Sequence, residues 1–121
     1  MTIKSFYHLD SWQKSHELVL DIYKKTDDFP KKEQYSLADQ LRRAAVSITS
    51  NVAEGSSRYG YADKIRFYYM ARGSISEVQN QLIIAKDLKY IEKKDFEGLF
   101  IQTIEANKLI NGLIRSCKNN L

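Results

Sequence analysis

The sequence predicts an all-α chain folded as an antiparallel, up-down-up-down four-helix bundle. Three observations predict it. Apolar residues recur at steps of three and four in four long segments, short breaks at Thr26–Pro30, Tyr59–Tyr61 and Lys89–Ile91 separate them, and no stretch alternates as a strand would. Short connections then bring each helix back alongside the one before it. With 121 residues, one proline and five glycines, residues 1–121 read as a single domain with its own core.

Residues 1–10 read as an irregular arm packing through Ile3, Phe6, Tyr7 and Leu9. Asp10 or Ser11 is placed to cap the first helix, and Trp12, His16, Val19, Leu20 and Tyr23 outline its buried side. The run TDDFP ends that helix, because proline restricts the residue before it. A second helix is expected from Lys32 to Ser57. Leu37, Leu41, Ala44, Ala45, Ile48 and Val52 form its apolar stripe, while Arg43, Ser47, Ser50, Asn51, Glu54 and Arg58 form a polar stripe on another face. Gly55 marks its end or lies inside its last turn.

The third helix is expected from Ala62 to Leu88, roughly 40 Å at the α-helical rise. Phe67, Tyr68, Tyr69, Met70 and Ala71 fill five successive positions, an apolar arc too wide for one bundle core. Phe67, Tyr68, Tyr69 and Met70 are therefore the candidate contact with another copy of the chain. The fourth helix restarts at Lys94-Asp95 with Asp95 as cap, carries Phe96, Leu99, Phe100, Thr103, Ile104, Ile110, Leu113, Ile114 and Cys117, and frays from Lys118.

Net charge is only +4, but its distribution is uneven. Arg42, Arg43, Arg58, Lys64, Arg66 and Arg72 face two acids, Glu54 and Asp63, a surplus equal to the whole net charge. Arginine forks suit phosphate, so these six are the candidate nucleic-acid contacts, with nearby aromatics available to stack on unpaired bases. The same residues also fit an ion-paired seam in a protein-interaction scaffold that binds no nucleic acid.

Chemistry finds less support. Glu17, Glu54, Glu77 and Glu105 lack the histidine three residues on that a di-metal bundle needs, and His8 and His16 have no ligand spacing on a helix, so no metal is expected. No serine sits in a nucleophile elbow, Cys117 has no local histidine, and glycines are too few for a phosphate-cradling loop. The sequence predicts a non-enzyme without cofactors. One cysteine, no apolar leader and no segment of about 20 apolar residues predict a cytoplasmic chain rather than a membrane one.

The run FPKKEQYSLADQLRRAAVSITSNVAEGSSR (29–58), followed by IRFYYMARGSISEVQNQLIIAKDLKYI (65–91), resembles bacterial four-helix-bundle proteins encoded in intervening sequences of 23S ribosomal RNA genes, often labelled ribosomal protein. The resemblance extends to the accessory variability protein of diversity-generating retroelements. It implies a homopentameric ring with basic surfaces that engage structured RNA or DNA, a possible protein partner such as a reverse transcriptase, and no catalytic residue. Thr49 stands where the family commonly has proline and Lys89 where it commonly has glycine. A straighter second helix and a costlier left-handed cap are expected from these departures.

Overall fold

Each apolar stripe becomes a helix. The computed structural model describes residues 5–121, and among them are four α-helices and no strand: α1 Asp10–Thr26, α2 Leu37–Ser57, α3 Tyr61–Asp87 and α4 Lys93–Lys118. Single 3-10 turns at Phe6–His8 and Lys31–Glu33 precede α1 and α2. Within the expected arm, Ile3 lies outside the described residues, Phe6 packs edge-on against Trp12, and Leu9 packs on the core. α2 packs on α3, α3 on α4, and α1 on both α2 and α4. Leu18, Ile22, Leu41, Ile48, Ile75, Leu82 and Ile110 are fully buried at the centre. Burial of each such side chain contributes about 1.5–3 kcal/mol.

α1 is turned by one residue from the expected face. Ser11, Ser15, Leu18, Val19, Ile22 and Thr26 are buried, whereas Leu20 and Tyr23 are exposed and Trp12 and His16 stack half-buried on each other. The hydroxyls hid this face from a hydropathy reading. Ser15 and Thr26 donate to the Ser11 and Ile22 carbonyls at 2.7 Å, which satisfies them inside the core. Neither Asp10 nor Ser11 is the cap; that place belongs to Leu9, and Asp10 supplies negative charge in the first turn.

α2 starts at Leu37 rather than Lys32, because Pro30 opens a 3-10 turn. Its apolar stripe is as expected, with Ala38 and Gly55 added. Thr49 lies within the continuous helix, its hydroxyl donating to the Val46 carbonyl at 2.8 Å. A cross-helix bond joins Ser74 to Ser47 at 2.9 Å, and a built-on Cβ at Gly55 falls 2.8 Å from the Tyr68 ring. Gly55 is thus a point of close approach between α2 and α3.

α3 ends at Asp87 in a Schellman closure. The Tyr90 N–H donates to the Ala85 carbonyl and the Lys89 N–H to that of Lys86, both at 2.9 Å, with Lys89 at φ 66°. α4 begins two residues before the expected cap, with Glu92 at the N-cap. Asp95 instead lies in the first turn and accepts a 2.9 Å hydrogen bond from Lys25 of α1. Further along α1 and α4, Gln102 donates to Asp21; between α3 and α4, Gln79 donates to Thr103 and Lys86 lies over Phe96. Among the described residues no helix is long and apolar enough to cross a membrane.

Candidate nucleic-acid interface

The six basic residues of the 42–72 window take up different roles in the fold. Arg42 is structural: its Nε donates to Thr26 Oγ1 at 2.9 Å and an Nη to Gln34 Oε1 at 2.9 Å, while Asp27 lies 3.4 Å away. Gln34 in turn donates to the Thr26 and Phe29 carbonyls, so Arg42 fastens the α1–α2 connection from inside. Lys64 is structural too. Its ammonium donates to the Ser56 carbonyl at 2.8 Å and the Gly55 carbonyl at 3.4 Å, where a cation meets the negative end of α2. Both expected phosphate contacts are thus already engaged within the chain.

Three others carry carboxylates. Arg43 is exposed and bonds Asp39 one turn earlier at 2.8 Å. Arg66 makes a forked contact with Asp63 at 2.9 and 3.1 Å, and Arg58 lies between Asp63 and Glu54 at 3.7 and 3.9 Å. Arg58 and Arg66 also lie over Phe67, each guanidinium carbon 4.6 Å from the ring centroid. Charge in this corner is therefore largely compensated. Arg72 differs: among the described residues it has no carboxylate or carbonyl partner, and its guanidinium lies 5.1 Å from the Tyr69 ring centroid.

The candidate interface residues also divide. Phe67 and Tyr68 belong to the chain's own interior, at 8% and 3% exposure, and are corrected from subunit contact to core. Burial, with a smaller effect from Cys117, pushes the Tyr68 phenol up to about 12. Tyr69 and Met70 are exposed. Their neighbours place them on different sides of α3. Tyr69 borders a groove with Arg72, Gly73 and Ser76 of α3 and Asn107 of α4. Met70 lies seven positions before Glu77 and fourteen before exposed Ile84, so the three share the side facing the α2–α3 groove. That second groove holds Gln81, whose buried Oε1 has no hydrogen-bond partner among the described residues.

One cation was invisible to the charge window. Lys118, at the last turn of α4, places its ammonium 5.6 Å from the Tyr69 centroid. Hydrogen bonding to Lys118, opposed by desolvation and aided by the charges of Lys118 and Arg72, holds the Tyr69 phenol below its ordinary value. Its 46-residue separation from Arg72 hid the pairing, although the antiparallel α3–α4 expectation contained the signal. Elsewhere, Cys117 is buried, which pushes its thiol up and away from nucleophilic use. Among the described residues no three His, Cys, Asp or Glu gather as a metal site.

Compared with known proteins, residues 7–112 match the family described as 23S rRNA-intervening sequence protein. The chain belongs to that family. A solved structure from Bacteroides thetaiotaomicron, described as a protein of unknown function from the S23 ribosomal protein family, superposes with a TM-score of 0.80 at 23% identity. The similarity covers 87% of this chain and 95% of the Bacteroides chain, and shows a shared fold. No curated protein matches.

Proposed function

We propose that this protein is a non-enzymatic, cytoplasmic RNA-binding subunit that works as a homo-oligomer, a ring of five antiparallel bundles. Residue pairs support the up-down-up-down course: Lys25 with Asp95 and Asp21 with Gln102, or Lys86 with Phe96 and Gln79 with Thr103, join rising numbers on one helix to falling numbers on the other. The ring and the preference for RNA follow the family resemblance. The observation that carries RNA binding is an exposed basic face at α3 and α4, where Arg72, Arg115 and Lys118 have no carboxylate partner among the described residues. Uncommitted cations bind phosphate without first breaking an ion pair.

The test is titration of a labelled structured RNA at several salt concentrations. Binding weakens steeply with salt, and joint replacement of Arg72, Arg115 and Lys118 by glutamine lowers the log–log slope by about three. An unchanged slope in that variant rejects this face. A scaffold that binds only protein is the competing reading, favoured by exposed Met70 and Ile84 along the same flank of α3 as Gln81. A protein partner that stays bound after nuclease treatment, with no salt-sensitive RNA binding, would establish it.

A further inference from the structure

The α3–α4 groove differs in charge from three other grooves among the described residues. The groove between α1 and α4 mixes Asp21, Asp28 and Asp95 with lysines, the one at the α3–α4 turn carries Asp87, Glu92 and Glu97, and the α2–α3 groove carries Glu77. No carboxylate lines the groove of about 340 Å³ bordered by Tyr69, Arg72, Gly73, Ser76 and Asn107. Gly73 leaves its floor open, since a Cβ there would meet nothing within 4 Å. Asn107 and Ser76 offer donors and acceptors, and Tyr69 offers a ring that is 42% exposed.

We infer that this groove holds one unpaired nucleotide of an RNA strand, its base against the Tyr69–Arg72 pair and its phosphate between Arg72 and Lys118. Two cations at 5.1 and 5.6 Å from one ring bring positive charge and a stacking surface within a single nucleotide's span. A paired base keeps its faces inside the duplex and cannot use the ring, so the groove selects single strands, loops or bulges. This inference rests on the RNA-binding reading and reassigns Tyr69 from subunit contact to base contact.

The experiment compares a fluorescent single-stranded RNA with a duplex of the same sequence, by polarisation, for the wild type and variants checked by circular dichroism and light scattering. Tyr69→Ala weakens single-strand binding about tenfold, the scale of one lost base–aromatic stack, and leaves duplex binding and oligomeric mass unchanged. Tyr69→Phe, which keeps the ring, stays within about twofold of wild type. Lys118→Gln lowers the salt slope by about one, whereas Lys32→Gln, at the other end of the bundle, leaves the preference for single strands intact. Unaltered single-strand binding in Tyr69→Ala, an equal loss for duplex, or a changed oligomeric mass overturns the inference and leaves general RNA binding standing. Equal competition by polyglutamate assigns the groove to an acidic peptide and overturns it too. Absence of salt-sensitive binding to either RNA removes both readings.

Discussion

Lys89 holds a backbone conformation that its side chain does not favour. At φ 66° its Cβ crowds the following carbonyl, a cost of about 1–2 kcal/mol that glycine avoids. The conformation persists because the closure orients two hydrogen bonds and sets Ile91 into the core. Glycine returns about 0.5–1 kcal/mol of that gain through its freer unfolded chain. Lys89→Gly is therefore expected to raise stability by about 0.5–1 kcal/mol, read as a higher urea midpoint with an unchanged slope. Tyr68 sets a pH limit in the same way. Its folded phenol, pushed up to about 12 by burial, keeps its proton where the unfolded chain, at 10.0, has lost it. The associated stability is intact below pH 10 and lost as pH rises through 12, about 2–3 kcal/mol for a shift of this size. Tyr68→Phe should show a correspondingly shallower loss between pH 10 and 12 in alkaline denaturant titrations.

Between elements, the α2–α3 contact depends on one absent side chain. A Cβ at Gly55 would lie 2.8 Å from Tyr68 Cε1 and 3.0 Å from Phe67 Cβ, so Gly55→Ala must push two packed aromatics aside. Overpacking of this kind costs about 1–3 kcal/mol, more than alanine's helix propensity returns, and chemical denaturation should show the net loss. The alanine variant would also disturb the Arg58–Phe67–Arg66 stack that rests on that contact. The sequence showed a glycine near a helix end and left its role between cap and last turn. Only the facing aromatics from α3 decide it. The stripe of α2 was legible because its core residues are aliphatic; in α4 the expected Ile104 is exposed and Ala106 is buried instead, and α1 buries Ser11, Ser15 and Thr26, whose polarity masks their position. Site residues were harder for a related reason. A charge window counts cations without their partners, so it included Arg42 and Lys64, which fasten backbone and loop, and left out Lys118, which reaches from α4 to the Tyr69 ring that Arg72 also approaches.

At the scale of the whole molecule, α3 presents two unlike surfaces, and the proposed ring gives each a use. Tyr69 and Arg72 border the acid-free groove toward α4, whereas Met70, Glu77 and Ile84 follow the flank toward α2 that also carries Gln81. A neighbouring copy seated along this side would cover Met70 and Ile84 and would bring polar groups within reach of the Gln81 amide oxygen. Repetition then matters for binding. A charge of +4 per chain is modest, but in the proposed ring several identical α3–α4 faces would engage one RNA together, and avidity of that kind multiplies affinity by about 10²–10⁴. The double variant Met70→Asp, Ile84→Asp is expected to fall to the 14.1 kDa mass of a single chain in light scattering while keeping its helical circular dichroism. Its α3–α4 groove remains whole, so its affinity for a short single-stranded RNA that reaches only one subunit should match wild type. For a long structured RNA it should drop by at least about 10²-fold. A wild-type chain that is already a monomer would refute the ring. A double variant that keeps the assembled mass would move the subunit contact to another face of the bundle.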